Sequence, residues 1–138
     1  MKVSIMPNME QEVLDWIDRQ LTRIYQSHNG EVSSVEFNVL DGLPLNEDFS
    51  LAEGCVIRVI SKTEDCIVMS CWMDGGVTLD RHKHPDFIEV FYIEDGHLLD
   101  KAYKISIKSG DVYLMEIGMV HEWSAVVDTT MKIICHKK

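Results

Sequence analysis

The chain has 138 residues, 46% of them hydrophobic, which suffices for one domain with a core of its own. Thirteen Lys and Arg against 23 Asp and Glu leave a formal charge of −10, and the basic residues form no run. Such a field repels phosphate backbones and anionic lipid headgroups, so the balance argues against nucleic acid and membrane as partners.

The opening stretch, MKVSIMPNMEQEVLDW, lacks the apolar core of a signal peptide, and no segment approaches the roughly 18 apolar residues of a membrane span. A cytoplasmic protein is expected. Cys55, Cys66, Cys71 and Cys135 form no C-x-x-C pair and lie in apolar runs, which predicts reduced core thiols rather than a disulfide framework.

Asn8 can cap a helix, with Gln11 three residues on. Met9, Val13, Trp16, Ile17, Leu21 and Ile24 then recur at spacings of three and four, which predicts an amphipathic helix over about residues 9–28. Its apolar stripe is expected to cover the domain's own core, with a dimer contact through Trp16 as the alternative.

After Gly30 the texture changes to short β-rich segments at 32–40, 55–60, 66–73, 87–93, 103–107, 111–115, 121–127 and 131–136. Turn compositions such as KTED, DGG, EDG and KSGD separate them, which predicts an all-β sandwich or barrel. Residues 41–54 read as the loosest segment, and nothing marks a domain boundary.

The stretch GVTLDRHKHPDFIEVFYIEDG, residues 76–96, holds His82, His84 and Glu89. In an extended chain His82 and His84 point to one side, because side chains alternate with period two. Glu89 has the wrong parity on an unbroken strand, but Pro85-Asp86 supplies a break that lets it aim back at the same point. By itself the stretch leaves both a polar strand face and a metal site open.

The spacing from Gly76 through His82, His84 and Glu89 to Gly96 resembles the first motif of the cupin superfamily, G-x5-H-x-H-x4-E-x6-G, at every fixed position. Gly110, Gly118 and His121 similarly fall on the second motif, G-x5-P-x-G-x2-H-x3-N, where Glu116 replaces the proline and Ala125 the asparagine. The resemblance covers residues 76–125 and implies a single cupin domain over 1–138, a jelly-roll double-stranded β-helix barrel behind one N-terminal helix. It also implies that His82, His84, Glu89 and His121 bind one metal ion. Three nitrogens and one oxygen suit Fe, Mn, Ni, Cu or Zn and disfavour calcium and magnesium.

Strand alternation places Trp123, Phe91 and Ile93 on the side of the ligands, as pocket lining or as ordinary barrel core. Arg58, central in CVIRVI, either faces the lumen, where it could pair a substrate carboxylate, or points to solvent from an edge strand. Tyr92 and Lys83 alternate away from the ligand face.

The resemblance implies action on a small organic molecule, first as a metal-dependent enzyme such as a dioxygenase. A metal- or metabolite-binding sensor, or a cupin isomerase or hydrolase, are the alternatives. A homodimer is expected, since exposed strand edges need covering.

Overall fold

The structure, a computed structural model, describes residues 11–25 and 32–137. Helix α1 runs Gln11–Tyr25 and buries Ile17 and Leu21, while Trp16 stays 38% exposed. Ile17 and Leu21 join the domain's own core, and the helix packs on the segments that follow it. The expected cap Asn8, together with residues 9–10 and 26–28 of the predicted helix, lies outside the described residues.

The predicted strand at 32–40 divides into strand β1, Ser33–Ser34, and a second helix, α2, Phe37–Asp41. Val35, Phe37 and Val39 alternate as a strand would, but Phe37, Leu40 and Leu43 are also spaced as one helical face, and all five are buried. A partner distant in sequence decides the matter. Asp86 Oδ1 accepts the Phe37 N–H at 2.9 Å, which satisfies one of the amides that a helix start leaves without an internal partner.

Strand β2, Asp48–Ala52, occupies the segment expected to be loose, with Phe49 and Leu51 turned inward. Then come β3 (Cys55–Lys62), β4 (Cys66–Met73), β5 (His82–Lys83), β6 (Phe87–Asp95) and β7 (His97–Asp100). The last five are β8 (Ile105–Lys108), β9 (Val112–Met115), β10 (Val120–His121), β11 (Trp123–Ala125) and β12 (Thr129–Lys137).

Six strands form the main sheet in the order β2-β3-β4-β12-β6-β9. Two three-stranded sheets, β1-β5-β10 and β11-β7-β8, complete the fold. On the main sheet Cys55, Ile57, Met69, Cys71, Ile133, Cys135 and Phe91 point inward and are buried, as the period of two requires. All four cysteines are free, and three of them belong to this buried layer.

The outer face keeps Trp72, Tyr92, Leu114 and Ile134 exposed. Ile134 sits in register between Val68 and Val90, and Val90 lies opposite Leu114, so an apolar row crosses four strands. Arg58 pairs with Asp48 and Lys132 with Glu94 on this face, so those charges cancel locally.

Candidate metal centre

The break read at Pro85-Asp86 is present: β5 ends at Lys83 and β6 begins at Phe87. His82 lies on β5, His84 just beyond it, Glu89 on β6 and His121 on β10, where the register sets it directly opposite His82. Two backbone links tie this segment to its neighbours. The Gly118 N–H donates to the His84 carbonyl at 2.9 Å, and the Val35 N–H donates to the Lys83 carbonyl at 3.0 Å. Gly118 turns there with φ +79°, a conformation that glycine adopts without a Cβ penalty.

His82, His84 and His121 offer ring nitrogens that all lie within 4.8 Å of one another. All three rings and Glu89 are buried, His121 completely. His82 Nδ1 lies 2.8 Å from the Asp80 carbonyl and His84 Nδ1 lies 3.1 Å from the Val35 carbonyl. A carbonyl only accepts, so each Nδ1 carries the proton and each Nε2 presents a lone pair to the centre.

His121 Nε2 faces His82 Nε2 at 2.7 Å, and Glu89 Oε1 lies 3.6 Å from His121 Nε2. Glu89 Oε1 and His84 Nε2 approach to 2.5 Å, yet neither atom has a hydrogen-bond partner. Proximity without hydrogen-bond alignment is what donors aimed at a common point produce, and leaving such atoms buried and unpaired is costly.

Burial, reinforced by His84, lowers the pKa of His82 to about 4. Burial also holds His121 well below the usual imidazole range, with His82 and His84 adding to the effect. Both rings are therefore neutral at pH 7, the state in which imidazole binds metals.

Cys135 Sγ approaches the other oxygen of Glu89, Oε2, at 3.9 Å. Burial raises the Cys135 thiol well above its ordinary range, with Glu89 adding to it, and a hydrogen bond with Cys55 followed by burial does the same for Cys71. Protonated thiols are poor metal ligands, so the donors available are nitrogen and oxygen. Buried and convergent, with His84 Nε2 and Glu89 Oε1 left without a hydrogen-bond partner, the set fits a divalent transition metal.

A cavity of about 60 Å³ opens beside these residues. His82, His84, Glu89, Cys71, Phe91 and Trp123 form one part of its wall. Leu51, Ile57, Met69, Leu79 and Ile133 continue it, and Leu21 of α1 and Leu40 of α2 bring both helices to it.

Phe91 and Trp123 thus line the pocket, whereas Ile93 is fully buried in the core. Arg58 does not reach the lumen. The inward set of β3 is Cys55, Ile57 and Val59, so Arg58 has the outward parity, ion-paired with Asp48 at 2.8 Å and 5.8 Å from the Trp72 ring centre. Cys71, Met69, Ile57 and Leu51 also line the pocket, and alternation within the apolar runs CVIRVI and CIVMSCWM does not by itself reveal the first three.

No family model matches the chain, and no curated protein matches it. Solved structures do. KdgF from a Halomonas species is 16% identical with a TM-score of 0.61, the match covering 66% of this chain and 87% of that one. An RmlC-like cupin from Shewanella frigidimarina is 14% identical with a TM-score of 0.61, covering 67% and 84%. A predicted oxalate decarboxylase from Thermotoga maritima is 20% identical with a TM-score of 0.57, covering 67% and 91%.

The chain therefore has the cupin fold, the double-stranded β-helix, with a buried three-histidine cluster that could hold a metal ion. Identities this low establish the architecture and leave the reaction to the site itself.

Proposed function

We propose that the chain binds one divalent transition metal through His82, His84, Glu89 and His121 and acts as a metal-dependent enzyme on a small organic molecule. The supporting observation is the set of buried, convergent donors, of which His84 Nε2 and Glu89 Oε1 find no hydrogen-bond partner, at the wall of an apolar cavity. When bound, the metal supplies Lewis acidity or redox chemistry. His82 and His84 keep their lone pairs aimed inward through their Nδ1 anchors, and the aliphatic wall keeps water away.

A non-catalytic metabolite-binding role is the second reading. It is favoured by the wall itself, in which no acid or base stands apart from the ligand set among the described residues. We also propose a homodimer in which a second copy covers the outer face of the main sheet. Its apolar row and internally cancelled charges let two chains of net charge −10 meet there with little repulsion.

Elemental analysis of untagged protein grown with metal, beside a His121→Ala variant, tests the metal centre. Close to one equivalent in the parent and a large loss in the variant is expected, whereas less than about a tenth of an equivalent in the parent removes the reading. Oxygen consumption or substrate turnover in the loaded protein then separates the enzyme from the binder.

A further inference from the structure

We propose that the cavity selects a monoanion with a short apolar body and rejects a dianion of the same length; this rests on the metal reading above. The first ground is charge. A divalent ion beside the Glu89 carboxylate leaves one positive charge in a buried site, because the other three ligands are imidazoles, and a ring that lends its nitrogen lone pair to a metal carries no charge. One anionic headgroup cancels that charge, and a second would be buried without a counter-ion, which is strongly unfavourable.

The second ground is the wall. Beyond the ligands it is made of groups such as Leu51, Ile57, Met69, Phe91 and Ile133, and among the described residues no Lys or Arg lines it. Arg58 could have met a second carboxylate, but it stands on the opposite face of the sheet from its neighbour Ile57 and is already paired with Asp48.

The third ground is size. A water position takes roughly 10–15 Å³, so about 60 Å³ admits about four to six of them. That suits a headgroup with a body of a few carbons, such as a short aliphatic carboxylate.

The test is calorimetric titration of zinc-loaded protein with the straight-chain series from acetate to hexanoate, and with succinate. Butyrate and succinate have the same number of carbons and differ by one carboxylate. Affinity is expected to rise about fourfold per methylene until the cavity is full and then fall. Butyrate is expected to bind at least about tenfold more tightly than succinate. A flat response to chain length, or succinate binding as well as butyrate, overturns the inference and leaves the metal centre standing. Failure of the protein to take up zinc, read by elemental analysis before titration, overturns both.

Discussion

His82 and His121 stand opposite each other across the β5–β10 pair with their Nε2 atoms 2.7 Å apart, both shut away from solvent. His82 presents a lone pair there, because its Nδ1 proton is held by the Asp80 carbonyl. In the metal-free chain the proton between the rings must therefore come from His121, whose Nδ1 has no partner. Metal binding needs that proton on the Nδ1 side instead, so His121 is the ligand that must change tautomer.

These rings make the metal-free fold sensitive to acid. His82 has a folded pKa of about 4 against 6.5 in its ordinary state, so below 6.5 the unfolded chain binds a proton that the folded chain refuses. The stabilisation is complete above pH 6.5 and is lost as the pH falls toward 4; His121, lowered as well, acts in the same direction. Urea unfolding of metal-free protein should show a loss of about 2 kcal/mol from His82 between about pH 7.5 and pH 5. An unchanged midpoint would mean that these rings titrate as they do in the unfolded chain.

Asp86 connects α2 to the metal loop. Its carboxylate accepts the Phe37 N–H, while two residues earlier Val35 accepts from His84 Nδ1. Asp86→Ala should cost about 1 kcal/mol, as the loss of a helix-start acceptor does. It should also weaken zinc binding about tenfold, because the anchor of a ligating ring is loosened. Asp86→Asn keeps an acceptor oxygen and should restore most of both quantities, measured by urea unfolding and chelator competition.

The same contact shows where the sequence is legible and where it is not. Period-two parity and a proline break let His82, His84 and Glu89 address one point, because these depend on local backbone geometry, whereas His121 came only with the resemblance to the second cupin motif. The expected strand at 32–40 became a short strand and a helix because Asp86, 49 residues away, supplies the helix start, and no local pattern encodes such a partner. Strand β7 was missed for a similar reason. HLLD follows directly on a turn signal, and its strand character comes from pairing with β8 and β11. Arg58 was ambiguous because CVIRVI is apolar at both parities, so only neighbouring strands reveal which face is core.

Gly96 and Gly76 mark the ends of the first motif, and both have positive φ, +117° and +92°. A Cβ on Gly96 would lie 2.5 Å from Thr129 Oγ1 and 2.7 Å from the Asp128 carbonyl oxygen, whereas a Cβ on Gly76 meets nothing within 4 Å. Gly76→Ala should therefore cost only the backbone term, about 1–2 kcal/mol. Gly96→Ala adds a clash with main chain and should cost clearly more, on the order of 3 kcal/mol or above. Thermal unfolding of the two variants side by side checks the ordering, and equal losses would remove the steric account of Gly96.

Ile134 lies at the middle of the outer apolar row, while its neighbour Cys135 points inward to Glu89. Burying a carboxylate at the centre of an interface costs several kcal/mol, so Ile134→Asp should turn a dimer into a monomer at about 10 μM. Its metal content should not change, because the side chain stands on the opposite face of the sheet from the site. Ile105, equally exposed on β8 and belonging to another sheet, is the control: Ile105→Asp should leave the dimer intact. Sedimentation velocity distinguishes the outcomes. A parent that sediments as a monomer, or dimers that survive Ile134→Asp, would mean that this face is not where two copies meet.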